Sequence, residues 1–548
     1  MVFDLRLRES KVFGEIFNLT TGTITPESAS QYLTKFLADL DDSSKQDESK
    51  ANEIFNLIIS ELERLSSDDG RFLICLYSIH VKYGDKVAAV KEIEKYIVSS
   101  DVDFNSAWFI YWQVLREVFV NRQLFDYSEV GACLISMYKK VFNLFDKSIS
   151  PLFEKTLSIN SISGVSGCNK ERERKKIVIV TNQFLGLKHA PTILAVRMAK
   201  KYNELGFDVS IINTACLPRK YSVFYVGSTT FNYVPEYSRV GIDISLFSEG
   251  NIEISKAGGR ENNVIHDGVK IPFCQVDSLH EYSVALSSIL DNEVDLVISV
   301  SDSNLFCDYL SKHAGSSIPI IMHPTSSGLP LVIYSNPLLL NHPVECEKNR
   351  SVDDLILERY YPKRFNYLPL ARRDFSLPEN NFLIAIVGNR LEEEIDNNFV
   401  ELLERIISST PSVSIVFVGC DESILNNFDL PLRRASFVIP YQQDLASFLK
   451  IMDLYLNPDR TGSGTSAVMA LGASVPVATL AKRYSDVSWW VQDEFSFSDY
   501  NSMLDFIFKC IFDKEFFQQQ KNKAISIYDD VTLSGNSFEK ILWDCGLC

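Results

Sequence analysis

Along the first 150 residues apolar side chains recur at helical spacing, in Ala29–Leu40, Ala51–Leu65, Phe72–Tyr83, Val87–Val98, Ala107–Val120 and Tyr127–Phe145. This predicts an all-helical N-terminal domain over 1–150. Turn-forming clusters, SSDDG at 66–70 and YGD at 83–85, separate the helices. The polar stretch SINSISGVSG (158–167) and the run KERERKK (170–176) read as a linker.

At Lys176 the period changes. KIVIVT (176–181) is a continuous apolar run of the kind that is buried on both faces of a parallel sheet. A helix from Pro191 to about Leu205 and a second strand in GFDVSIINT (206–214) complete a β-loop-α-β unit. Residues 215–277 are less regular, with strand-like pieces at 222–226, 251–255 and 269–274. Alternation resumes with a helix at 279–291, the strand VDLVISV (294–300), a helix from Asn304 and the strand IPIIM (318–322). A broken stretch at 336–381, rich in Pro and Arg, reads as a hinge.

Beyond it a second alternation begins with FLIAIVG (382–388). A helix over Glu392–Ser408, strands at Val413–Gly419 and Ser436–Ile439, and a helix at Leu445–Met452 follow. The stretch LYLNPDRTGSGTSAVMALGASVPVATL (454–480) then reads as strand, Gly-bearing turn, helix opening at Thr465-Ser466, and strand Val475–Leu480. Residues 500–542 are mostly helical in pattern. The expected fold class is α/β: two Rossmann-like domains, 176–365 and 380–545, preceded by the all-α domain.

Composition narrows the function classes. The 548 residues, 46% hydrophobic and 23% charged, fit several well-buried cores. No apolar run reaches the roughly 20 residues of a membrane span. A net charge of −17 weighs against general affinity for nucleic acid or anionic membranes. The opening MVFDLRLRESK has neither signal-peptide nor transit-peptide character, and the 11 cysteines are scattered. Both point to a reducing cytoplasm. The lone C-x-x-C, Cys545 to Cys548, lacks a second pair, so no metal site is expected.

Candidate chemistry gathers in loops at the C-terminal ends of strands. Gly462 and Gly464 let backbone approach a ligand, and a helix opening at Thr465-Ser466 points N–H groups and its positive dipole end into that turn. Such a turn suits a phosphate or diphosphate, with Asn457 and Arg460 on its approach. Gly388-Asn389-Arg390 leaves another strand, where Arg390 can act as a fixed positive charge or pair with Glu392, Glu393 or Glu394. In the first half His189, just before Pro191, is a candidate general base. His323 ranks below it. Asp302 and Asp486 are candidate acceptor or sugar contacts, with helix capping as their plainer role.

These residues resemble those of GT-B glycosyltransferases. The segment Gly464-Thr465-Ser466-Ala467-Val468-Met469 is similar to the nucleotide-sugar loop of the O-GlcNAc transferase and bacterial protein N-glucosyltransferase family, which reads roughly His-Thr-Thr-Gly-Met-Asp. The resemblance implies that Thr465 and Ser466 hold a UDP diphosphate, that Arg390 serves the phosphates and that Pro440 and Tyr441 lie at the uracil. It also implies that His189, in KHAPT, is the first-domain histidine. Gly464 and Met469 replace the family's His and Asp, and Met469 stands at the second Glu position of the EX7E arrangement of retaining enzymes, which leans toward inversion. The expectation is a cytoplasmic bacterial transferase moving sugar from a UDP-sugar donor to a protein, with no cofactor and no metal. The alternatives are a glycan acceptor in surface polysaccharide assembly, an epimerase on the same fold, and a non-catalytic partner protein.

Overall fold

The computed structural model describes residues 86–99, 101–120, 127–162, 174–182, 184, 190–214, 252–256, 261–276, 278–291, 293–314, 317–325, 332–334, 338–340, 355–357, 364–462, 464–482, 485–533, 542–543 and 545–547, with Asn56 and Ser60. The helices expected over 29–40 and 72–83, nearly all of that over 51–65, and the strand piece at 222–226 lie outside them.

Three helices open the described chain: α1 (Lys86–Ser99), α2 (Phe104–Val120) and α3 (Tyr127–Ile162). Helix α3 continues through 158–162, where the sequence reads as linker. Upstream of that stretch the helix is packed against the first unit. Thr156 Oγ1 lies 3.2 Å from Ser283 Oγ, Ser150 Oγ lies 3.1 Å from Tyr309 OH, and Lys312 pairs with Asp146 at 2.7 Å. These partners belong to helices α5 (Leu279–Asp291) and α6 (Leu305–Ala314), which cover one face of the first sheet. Helix α4 (Ala190–Glu204) covers the other. Phe145 of α3 stacks edge-on with Tyr282 and Tyr309, and one hydrophobic cluster runs from Ala89 through α3 to Val178 and Val297. The N-terminal helices and the first sheet therefore share a core.

That sheet has nine strands in the order β3-β4-β5-β2-β1-β6-β7-β8-β9. They are β1 (Lys176–Thr181), β2 (Asp208–Asn213), β3 (Ile252–Lys256), β4 (Glu261–His266), β5 (Val269–Gln275), β6 (Leu296–Val300), β7 (Ile320–His323), β8 (Leu338–Leu340) and β9 (Leu355–Leu357). The central strands β5-β2-β1-β6-β7 are parallel, in Rossmann order, with the crossovers on both faces. Strands β3 and β4 add antiparallel pairs beside β5. Strands β8 and β9 extend the other edge through a stretch expected to be hinge. Strand β4 is another addition to the expected pattern. It turns into β5 through Asp267-Gly268, both at positive φ.

The second sheet contains β10 (Phe382–Val387), β11 (Val413–Val418), β12 (Ser436–Ile439), β13 (Leu454–Leu456), β14 (Val477–Leu480) and β15 (Ser496–Phe497). Its order, β12-β11-β10-β13-β14-β15, is the Rossmann order 3-2-1-4-5-6, and each adjacent pair is parallel. The expected two-sheet α/β architecture is present. The helix expected over Glu392–Ser408 is two, α7 (Leu391–Glu394) and α8 (Asn397–Ser409), because Asp396 caps the second by accepting from Phe399 N. Then come α9 (Leu430–Ala435), α10 (Leu445–Leu449), α11 (Gly464–Gly472), α12 (Asp486–Phe495), α13 (Tyr500–Phe512) and α14 (Lys514–Leu533).

The chain enters and leaves this second unit at one place. Arg364 pairs with Asp529, and Phe365 N donates to Tyr528 OH at 2.7 Å. The tail then returns to the first unit, where Leu542 is fully buried beside α4 and Leu547 O accepts from Lys175 Nζ at 2.8 Å. No helix among the described residues is long and apolar enough to cross a membrane.

Candidate functional site

In an open parallel sheet, strands that diverge at a reversal of order leave a crevice beyond their carboxyl ends. In the second sheet that point lies between β10 and β13. Gly388-Asn389-Arg390 leaves the first strand, and Asn457 to Arg460 leaves the second. Arg460 ties the two together although it is only 2% exposed. Its Nη2 donates to Val387 O at 2.5 Å, its Nε to Asn457 Oδ1 at 2.9 Å, and its Nη1 to Glu394 Oε2 at 2.5 Å. Asn457 Nδ2 in turn donates to Pro458 O at 2.9 Å and Thr479 Oγ1 at 3.2 Å, fixing β13 to β14.

Glu394 takes a second guanidinium. Arg390 donates to its Oε1 through Nε at 3.1 Å and Nη2 at 2.8 Å. Burial alone would raise the Glu394 pKa, but the charges of Arg460 and Arg390 outweigh it and hold the carboxyl below its ordinary value. Burial would likewise lower the Arg460 pKa, and Glu394 keeps it raised. Two guanidinium groups thus share one carboxylate at the switch point. Gly388 has no room for a side chain, since a Cβ there would run into the Arg460 guanidinium and lie 2.9 Å from Leu391.

Four residues past Arg460, α11 begins at Gly464, after Gly462 at φ +85. A Cβ at Gly464 would stand 2.7 Å from Trp490 Nε1 and 3.1 Å from Asp486 Cβ. Glycine thus lets the N-terminus of α11 sit against the first turn of α12, which Ser485 caps by accepting from Ser488 N. Thr465 is half-buried, whereas Ser466 is buried with its hydroxyl 2.9 Å from Tyr455 OH. Asn389 and Pro440 are exposed, Tyr441 is 51% exposed, and Pro440 O accepts from Gln442 Nε2 at 3.1 Å. Of the adjacent Trp489 and Trp490, the second is a core residue.

The first sheet has its own switch point, between β1 and β6. Asn182 Nδ2 donates to Ser303 O at 2.6 Å across it, and Tyr111 OH of α2 donates to Ser303 Oγ at 3.4 Å. Asn304 Oδ1 caps α6 through Phe306 N and Cys307 N. Asp302 Oδ1 accepts from Thr325 N at 2.7 Å, so this carboxylate pins the chain leaving β7. His323 is buried, with Nδ1 3.0 Å from Pro324 O, and burial pushes its pKa down to about 4. It is neutral at pH 7. His189 lies outside the described residues.

The structure thus gathers Arg390 and Arg460 around Glu394, with Asn457 on Arg460, and Gly464, Thr465 and Asp486 at the two helix N-termini. Glu394 entered the sequence reading only as one of three partners for Arg390. The i,i+4 spacing of Arg390 and Glu394 is the signal that singles it out.

No protein-family model and no curated protein matches the chain. Among solved structures, a Thermobaculum terrenum O-GlcNAc transferase mutant aligns at 11% identity over 96% of this chain and 98% of that one, TM-score 0.44. A Staphylococcus aureus TarM mutant, in complex with fondaparinux, alpha-GlcNAc-glycerol and UDP, aligns at 10% identity over 68% and 99%, TM-score 0.43. The chain is also similar to the glycosyltransferase SnogD from Streptomyces nogalater, at 14% identity over 68% and 100%, TM-score 0.36.

Proposed function

We propose that this protein is a glycosyltransferase that moves a sugar from a UDP-sugar to an acceptor, with a protein side chain as the first acceptor to test. The observation that carries the reading is the Arg390–Glu394–Arg460 cluster, two guanidinium groups on one carboxylate at a Rossmann switch point, four residues ahead of the N-terminus of α11. In the proposed reaction the acceptor's proton passes to His189. The acceptor atom bonds to the anomeric carbon as the bond to UDP breaks. UDP leaves with the electron pair, and its charge is met by Arg390, the N–H groups of α11 and Thr465, in place of a metal. One displacement of this kind inverts the anomeric centre.

Purified protein would be assayed for binding and slow hydrolysis of a panel of nucleotide sugars, with Arg390→Ala and Thr465→Ala beside it. One bound donor that both changes abolish supports the reading, and His189→Ala should then keep donor binding while losing transfer. If no nucleotide sugar binds, the reading is wrong. A second reading, a partner protein that binds nucleotide without turnover, draws on the commitment of Arg460 and Ser466 to internal bonds. Binding with no turnover across acceptors would select it.

A further inference from the structure

We infer that Glu394 is a positioning residue that aims the Arg390 guanidinium at the leaving group, and that Arg460 is what allows it to do so without cancelling the charge of Arg390. The inference rests on the glycosyltransferase reading. A lone carboxylate bonded to an arginine fixes its orientation and also neutralises it, which weakens its pull on a third group. Here the carboxylate has two claimants of unequal depth. Arg460 is 2% exposed and Glu394 4%, so these two balance one another in the interior. Arg390, 21% exposed, is the second cation on that carboxylate and lies on its outer side.

Its Nε edge lies on Glu394 Oε1, which sets the plane of the guanidinium and turns the Nη1 edge away from the carboxylate. The depth order is built by the backbone. Val387 O and Asn457 Oδ1 take two further edges of Arg460, and Gly388 clears the space it fills. A short helix, α7, places Arg390 and Glu394 one turn apart on one face. The arrangement supplies a charge oriented before the diphosphate arrives, so little reorganisation is needed as negative charge develops on it.

The test is a double-mutant cycle on UDP affinity by calorimetry, using the full chain, wild type, Glu394→Asp, Arg390→Gln and the double variant. Glu394→Asp keeps the charge that compensates Arg460 but withdraws the carboxylate by one methylene from the Nε edge. Positioning predicts that it weakens UDP roughly tenfold, and that it adds no further loss once Arg390 is Gln. If Glu394→Asp binds UDP as the wild type does, or if its loss persists undiminished beside Arg390→Gln, Glu394 does not act through Arg390. Thermal melts establish that each variant is folded. Should Glu394→Asp not fold, Arg390→Lys decides: it preserves charge but not the two-point hold, so roughly tenfold weaker binding supports positioning and unchanged binding overturns it. Absence of UDP binding by the wild type would instead reject the transferase reading itself, and positioning with it.

Discussion

The Tyr138 hydroxyl donates to Asp308 Oδ2 at 2.5 Å across the join between α3 and α6, and the other oxygen of that buried carboxylate accepts from Ile333 N and Tyr334 N. One carboxylate thus holds the N-terminal helices and the chain beyond β7. Tyr138→Phe leaves Asp308 short of one donor and should cost about 1–3 kcal/mol. Because the core is shared, the fluorescence of buried Trp108 and Trp112 should melt together with the first sheet, at a temperature lowered by the change. Separate transitions would show two independent bodies.

Arg460→Met removes one member of a buried pair. Glu394 keeps Arg390, so the expected cost sits near the low end of such losses, about 3 kcal/mol, read from the urea midpoint. The Glu394 carboxyl has a folded pKa below its ordinary 4.5. Its contribution is therefore complete above pH 4.5 and is lost as pH falls through the lower folded value. Unfolding curves taken from pH 7 to 3 should show this acid loss in the wild type and lack it in Glu394→Gln.

His323 adds pH dependence in another window. Its folded pKa, about 4, lies below the ordinary 6.5, so protonation favours the unfolded chain. Stability from this group is intact above pH 6.5, declines as pH falls toward 4, and changes no further below. The total is roughly 3 kcal/mol. His323→Gln should flatten the stability profile between these limits, and an unchanged slope would show that the imidazole is already solvated.

Gly464→Ala puts a methyl against Trp490 and Asp486 and should push the start of α11 away from α12. Nucleotide affinity should fall by about tenfold or more while far-UV circular dichroism is kept. Gly472, where a Cβ would meet Tyr367 and Tyr528, serves as the contrasting position, since Gly472→Ala strikes the far end of α11 and should lower stability more than affinity.

Much of the fold was legible because the strands are buried on both faces. KIVIVT, FLIAIV and VSIVFV are dominated by apolar residues without alternation, and the structure buries nearly every position of each. Strand β4, ENNVIH, has no such run, because it is an antiparallel addition that only partly faces the core. Its signal was the turn instead. Asp267-Gly268 between two strand-like segments is a two-residue hairpin signature, since both positions take positive φ. At the site, Gly464 was readable as a close-approach glycine, although what approaches it is Trp490 and Asp486 rather than open backbone space for a ligand. The depth of Arg460 was not, because a charged side chain near a turn reads as exposed until the crossing of β10 and β13 provides its partners.

The meeting of Phe365 with Tyr528, beside the Arg364–Asp529 pair, gives the second unit the connectivity of an insertion: its two ends emerge side by side, so everything between them forms a closed excursion from the rest of the chain. Such a unit can be exchanged as a cassette. Replacing 364–529 with the corresponding unit of another two-sheet protein would exchange the second sheet while leaving the shared core of helices and first sheet, and the tail that returns to it, joined as they are. On the proposed reading, donor choice and acceptor choice would then be separable by recombination at a single seam.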